Sequence, residues 1–323
     1  MCDESHRLKN RKAAVTKAVF GKWHKDPQKR IEPIKAGKIL LLTGTPILNR
    51  PEELWTTCHA IDPFGVGKSW WDFVHKYCAA KKTRFGIDTS GASNLQELKE
   101  RISPFTIRRL KKDVLKELPE KREQVIVLQP DPEQAQAVKA EREAVEMSEL
   151  NLDNPNLNIM LNQIAILRQQ TALTKLSSCY DIFSDDLQSS KLVIMAHHRA
   201  VCEAIHQNYP NSVMVYGGMS ERDKQKAIER FQNDKNCNVF VGSISAAGVG
   251  ITLTAASQLS FVEFDWTPGK MAQAADRIHH IENNFTLKRN TFIRAIFRPR
   301  KRRFIFSGII RQETIFRQSC GAR

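Results

Sequence analysis

Paired cysteines are the first thing this sequence does not offer. Seven are present, Cys2, Cys58, Cys78, Cys179, Cys202, Cys237 and Cys320, yet none stand as CxxC and their intervals follow no period. That scatter argues against a zinc site and a disulfide framework, and for a reducing compartment. Long apolar runs are missing as well, since nothing approaches the roughly 20 residues of a membrane span. Met1 and Cys2 are followed by acids and then by basic residues, so the start does not read as a signal peptide. A phosphate-cradling GxxxxGK loop ending in Ser or Thr does not precede Asp3. The one imitation is Gly65-Val66-Gly67-Lys68-Ser69, where Asp62 holds the leading glycine position and Trp70, Trp71, Asp72 and Phe73 follow as a helix with an apolar face.

What is present is the composition of a soluble globular chain: 323 residues, 41% hydrophobic and 26% charged, enough for one large or two ordinary domains. The net charge of +15 is uneven. Residues 284–323 hold eleven Lys and Arg against one acid, Glu313, which puts +10 there and leaves +5 for the other 283. Polyanions are the natural partners of such a chain, because Lys and Arg that neutralise phosphates release counterions. A solvated, solubilising surface is the plain alternative.

Periodicity gives the elements. Lys12 to Trp23 looks helical, and Ile39 to Leu42 is a short apolar run feeding the turn Thr43-Gly44-Thr45-Pro46, so it is expected as a buried strand. Helices are expected over Pro51 to Ile61, Ser69 to Cys78 and Asn94 to Ser103, with a polar loop from Lys81 to Ser93. A basic helix from Phe105 to Glu117 would carry Arg108, Arg109, Lys111 and Lys112, suited to phosphates or simply a solvated face. After Pro119 the pattern becomes α/β: strand Gln124 to Leu128, helices Pro132 to Leu150 and Leu157 to Leu176, strand Leu192 to Met195, helix Ala200 to Gln207, strand Ser212 to Tyr216, and helix Glu221 to Gln232 capped by Ser220. Then come strand Val239 to Val241, a small-residue loop Ser243 to Gly250, strand Leu259 to Val262, the turn Asp265-Trp266, and a helix behind Pro268 with Gln273, Asp276 and Arg277 on its polar side. Such alternation implies one parallel sheet with right-handed crossovers and a ligand edge at the carboxyl ends of its strands. His197 and His198, adjacent at one strand end, should point to opposite faces and share no metal.

Taken together these segments resemble superfamily-two helicases in the version used by Swi/Snf-type DNA translocases. MCDESHRLKN at the start looks like the DEAH-type motif II, LLLTGTPILNRPEELW like motif III, and FTIRRLKKDVLKELPEK like the linker between lobes. KLVIMAHHRAV resembles motif IV, SISAAGVG motif V and QAADRIHHI motif VI. The AHHR, SISAAGVG and AADRIHHI forms are nearest the HARP-like annealing-helicase branch. The resemblance implies a member that starts at motif II, with ATP and Mg²⁺ as cofactors, double-stranded or forked DNA as partner, and an intracellular, DNA-associated location, nuclear if eukaryotic. By the same resemblance, residues 1–46 are the remnant of a first RecA-like lobe, 47–118 a helical insertion and basic linker, 119–283 a second RecA-like lobe, and 284–323 a basic tail, non-homologous or disordered.

The implied roles follow motif by motif. Asp3 would contact Mg²⁺, Glu4 would act as catalytic acid/base, and His6 would couple them to the rest. Gly248, Gly250, Gln273 and Arg277 would face the nucleotide, with Arg277 also reaching the phosphoryl group. Thr43, Thr45, Arg108, Arg109, Ser243, Ser245 and Trp266 would face DNA. Two departures stand out. His280 occupies the place of the family's second motif VI arginine, and Glu282 and Asn283 replace its last glycine and glutamine. A mostly neutral histidine supplies neither the fixed charge nor the fork of a guanidinium. The activity implied is ATP hydrolysis coupled to remodelling or reannealing of DNA. A non-catalytic DNA- or partner-binding remnant of such a motor is the alternative.

Overall fold

A computed structural model describes residues 1–22, 26–44, 46–47, 50–83, 86–109, 111–118, 121–150, 157–247, 250–265, 267–278 and 290–297. The chain divides into two compact bodies, one built on Met1–Leu110 and the other on Lys111–Trp266 with Lys270–Phe304.

The first body is mainly helical: α1 (Ala14–Phe20), α2 (Trp55–Ile61), α3 (Trp70–Tyr77), a small antiparallel hairpin of β1 (Lys81–Thr83) and β2 (Gly86–Asp88), and α4 (Leu95–Ile102). The hairpin lies inside the stretch expected as plain loop. Its core is Leu54, Cys58, Val66, Phe73, Val74, Tyr77, Cys78 and Leu98, with Trp55, Trp70 and Ile102 packed on it. Ser69 caps α3, its hydroxyl accepting from the Asp72 amide at 3.2 Å. The expected buried strand Ile39 to Leu42 is corrected. Leu41 forms one parallel bridge with Cys2, and Ile39, Leu40 and Leu42 are all exposed, because among the described residues no further strand covers them.

The second body begins with α5 (Lys111–Val114), the one helical turn of the basic stretch. Thr106–Arg109 is not helical, so Arg108 and Arg109 sit on an exposed segment without regular structure instead of a helix face. Two β-branched residues, Thr106 and Ile107, followed by four like charges weaken a helix there. Then follow β3 (Lys121–Leu128), α6 (Pro132–Leu150), α7 (Leu157–Thr174), α8 (Leu176–Leu187), β4 (Lys191–Ala196), α9 (Arg199–Asn208), β5 (Val213–Val215), α10 (Glu221–Asn233), β6 (Val239–Ser243), α11 (Ile244–Ala247), β7 (Ala256–Phe261), α12 (Pro268–Ala275) and β8 (Asn290–Phe297). Six strands form one sheet in the order β3-β8-β7-β4-β6-β5, every pair parallel. Strand β8 comes from the segment 284–323 that sequence alone sets outside the lobe; its runs Thr291-Phe292-Ile293 and Ala295-Ile296-Phe297 supply the strand propensity.

Strand β4 shows how the sheet is buried on both faces. Leu192, Ile194 and Ala196 join Leu176, Cys179 and Phe183 of α8 and Val201, Cys202 and Ile205 of α9. The alternate residues Val193 and Met195 join Phe231 of α10, Phe240 of β6, and Met271 and Ala274 of α12. The period of two thus feeds two cores, which is why the strand is apolar throughout. Each fully buried side chain of this size contributes on the order of 2 kcal/mol by leaving water.

Candidate nucleotide and nucleic-acid site

In the first body the acid box and the Thr43 loop are brought together by backbone. The amide of Cys2 donates to the Leu40 carbonyl, that of Leu42 to the Cys2 carbonyl, both at 2.8 Å, and the Ser5 amide to the Leu42 carbonyl at 2.9 Å. This short parallel pairing sets residues 3 to 6 beside the turn at 43. Asp3 is exposed, with Oδ1 accepting from the Glu4 amide at 2.8 Å. Glu4 sits at φ 48°, ψ 43°, in the left-handed region that non-glycine residues seldom adopt. Its carboxylate lies 3.1 Å from His6 Nδ1, and the same nitrogen lies 3.2 Å from Thr43 Oγ1. Burial holds the His6 pKa below its usual value, against the pull of the Glu4 carboxylate. Glu4, His6 and Thr43 therefore form one connected set. Arg108 and Arg109 are exposed elsewhere in this body, and Thr45 lies outside the described residues.

The imitation loop at Gly65 is closed to phosphate. The Gly65 and Gly67 amides donate to the Asp62 carbonyl at 3.3 and 3.0 Å, and the Val66 amide donates to Asp62 Oδ2 at 2.7 Å. His59 Nδ1 holds the Gly67 carbonyl at 2.8 Å. Amides that would cradle an anion are spent on Asp62.

In the second body the expected residues fall at the end of β6 and beyond it, on α12, and just past α12. Ser243 ends β6 and is 5% exposed, its hydroxyl buried with no hydrogen-bond partner among the described residues. Ser245, two residues on, is exposed, so it is the hydroxyl that a ligand can reach. Gly250 is exposed at φ 72° with open space around the position of a Cβ. Gln273 is half-buried on α12, and Arg277 lies beyond its end, donating to the Ile251 carbonyl at 3.3 Å while its own carbonyl accepts from Leu253 at 2.9 Å. Gly248, Trp266 and His280 lie outside the described residues.

A buried polar group that sequence passes over stands beside them. Glu263, two residues past β7 and 4% exposed, accepts the His197 and His198 amides on Oε2 at 2.9 and 2.8 Å and faces His198 Nδ1 with Oε1 at 2.6 Å. Asp265 pairs with His197 Nδ1 at 3.4 Å and with Lys270 at 3.5 Å. The histidines do not diverge across the sheet, because β4 ends at Ala196; their rings meet edge to face, 4.9 Å apart, each turned to its own acid. Among the described residues no group of three or more His, Cys, Asp or Glu could hold a metal. The only sequence signal for Glu263 is an acid directly behind a buried strand.

The donor set fits part of a magnesium nucleotide site. Mg²⁺ keeps several waters and takes one or two carboxylates plus phosphates, which suits the exposed Asp3.

Comparison with known families matches residues 1–176 to the SNF2-related domain and residues 174–282 to the helicase conserved C-terminal domain. The chain is 36% identical over 294 residues to the DNA annealing helicase and endonuclease ZRANB3 of Homo sapiens, covering 86% of this chain and 26% of that one. It is 34% identical over 288 residues to the SWI/SNF-related matrix-associated actin-dependent regulator of chromatin subfamily A-like protein 1 of Xenopus tropicalis, covering 86% and 29%. Both relatives are therefore about three to four times longer than the matched part. Among solved structures, the Sulfolobus solfataricus SWI2/SNF2 ATPase core in complex with dsDNA aligns over 98% of this chain and 66% of its own, at 24% identity and a TM-score of 0.47. With motifs II to VI in order, a six-stranded parallel sheet, and family matches that run on from one to the next across residues 1–282, the chain belongs to the SNF2-related family of helicase-like proteins.

Proposed function

We propose that this chain is the part of an ATP-driven DNA translocase that couples the acid box to a DNA track, acting on double-stranded or forked DNA to remodel or reanneal it. The observation that carries this is the contact between His6 and Thr43, which ties the acids of motif II to the loop of motif III. The names of the relatives, an annealing helicase and a chromatin regulator, support the same reading. Magnesium nucleotide, when bound, supplies the phosphoanhydride bond to be broken. Asp3 would hold the metal, Glu4 would orient the attacking water and accept its proton, and His6 would report the state of Glu4 to Thr43. Gly250 and Gln273 would line the nucleotide side of the second body, with Arg277 as its cation. Thr43, Arg108, Arg109 and Ser245 would contact the DNA backbone, with Ser243 supporting the loop from below. Such a protein works inside the cell on DNA, in the nucleus of a eukaryote.

A histidine, His280, where the family's second motif VI arginine would stand favours a second reading, a non-catalytic DNA- or partner-binding member. Phosphate release by the full chain, with and without duplex DNA, separates the two. DNA-stimulated turnover abolished by Glu4→Gln establishes the translocase. Background turnover with duplex binding retained establishes the binding member.

A further inference from the structure

The polar group at Glu263 extends the sheet where its backbone ladder ends. The Val262 amide donates to the Met195 carbonyl at 3.0 Å, the last such bond between the ends of β7 and β4. One residue later the Glu263 carboxylate turns back and takes the next two amides, those of His197 and His198, while the His198 ring closes on its other oxygen. A carboxylate has about four acceptor positions, so three donors leave it satisfied although it is almost wholly buried. Burial alone would raise its pKa, but the bonds and charge of His198 and the charge of Lys175 outweigh this and hold it below the usual carboxylate value. Lys175 is itself 8% exposed, and burial pulls its ammonium below the usual range against the attraction of Glu263. Arg168 completes the clamp by donating to the Phe264 carbonyl at 2.8 Å.

The corner fixed in this way opens α9, whose first residue is Arg199. Its guanidinium lies 4.0 Å from the centre of the Tyr216 ring, and its Nε donates to Glu203 at 2.7 Å. Both contacts are at the surface, with the Arg199 side chain 60% exposed, where an ion pair of this kind adds little to stability. Their effect is to hold a planar, always charged fork in one orientation. In front of it, Tyr216 leads into Gly217 and Gly218, the latter at φ 93°, and a Cβ at either would meet nothing within 4 Å. A restrained guanidinium beside open, side-chain-free backbone at the carboxyl edge of a parallel sheet suits a phosphate oxygen.

Building on the proposed translocase reading, we propose that Arg199 is a phosphate contact for duplex DNA and that Glu263 is the positioning residue that aims it, through the amides of His197 and His198. The test is duplex affinity of the full chain by fluorescence anisotropy across a salt series. Arg199→Ala is expected to weaken binding about tenfold and to lower the salt slope by about one. Glu263→Ala should do the same, and the double variant should bind no more weakly than either single one, since both remove one contact. Glu263→Gln should recover most of the loss, because an amide oxygen still accepts both backbone amides. Should Glu263→Ala fail to fold, His198→Ala removes one limb of the corner, and its cycle with Arg199→Ala decides on the same criterion. Losses that add, or a Glu263→Ala chain binding within twofold of the unaltered one, overturn the inference alone. An unaltered chain with no duplex affinity overturns the translocase reading with it.

Discussion

His6 and Thr43, 37 residues apart in the chain, meet with Nδ1 and Oγ1 at 3.2 Å, and the same ring nitrogen is 3.1 Å from the Glu4 carboxylate. One imidazole thus stands between an acid and a hydroxyl that belong to different motifs. Replacing Thr43 by Val keeps the shape and removes the hydroxyl. We expect DNA-stimulated phosphate release to fall about tenfold, the order of one hydrogen bond to a polar partner, and Thr43→Ser to restore it. Release measured with and without duplex checks both outcomes.

The closed loop at Gly65 makes an opposite pair of predictions. A Cβ on Gly67 would run into the backbone of Cys58 and His59. Gly67→Ala should therefore lower stability by about 2 to 3 kcal/mol, as overpacking against backbone does, seen as a fall in the thermal midpoint. Lys68→Ala, in contrast, should leave nucleotide affinity unchanged in a titration with labelled nucleotide, since the amides around it are held by Asp62.

Asp186 on α8 gives a pH dependence. Burial, with the charge of neighbouring Asp185, pushes its carboxyl up to about 6, and Oδ2 is buried with no hydrogen-bond partner among the described residues. Because the folded value lies above the unfolded value of about 3.9, its contribution is fully present below that pH and is lost as pH rises through about 6. Asp186→Asn should then stabilise the chain by about 1 kcal/mol at pH 7.5, after allowance for solvent screening, and not at all near pH 4. Urea unfolding at the two pH values tests the sign.

Ser220 caps α10, its Oγ accepting from the Asp223 amide at 3.1 Å and donating to the Asp223 carboxylate at 2.8 Å. Ser220→Ala should cost about 1 kcal/mol, read from denaturant midpoints, and Ser220→Asp should recover most of it.

That cap was legible because capping is local, and the parallel strands were legible because two-sided burial makes each an apolar run, as in Lys191–Ala196. Where both conditions failed, sequence misled. The stretch Leu157 to Leu176 reads as one helix with a recurring apolar stripe, yet it breaks between α7 and α8 at Lys175. Within α7, Ile164 is buried while Ile159, Leu161 and Ile166 are exposed, so apolar residues alone do not mark the covered side. Of the candidate residues, Glu4, His6 and Thr43 were named from the family resemblance, and the fold brings these three side chains into contact. Glu263 was not, because its partners His197 and His198 come 65 to 66 residues earlier and no period links them.

Glu4 holds a left-handed backbone that costs a non-glycine residue of the order of 1 kcal/mol or more. A library screened only for heat resistance should therefore enrich Glu4→Gly or Glu4→Asn, while one screened for turnover should refuse both. Comparing the two pools at this single position would separate what the polypeptide needs in order to fold from what it keeps in order to work.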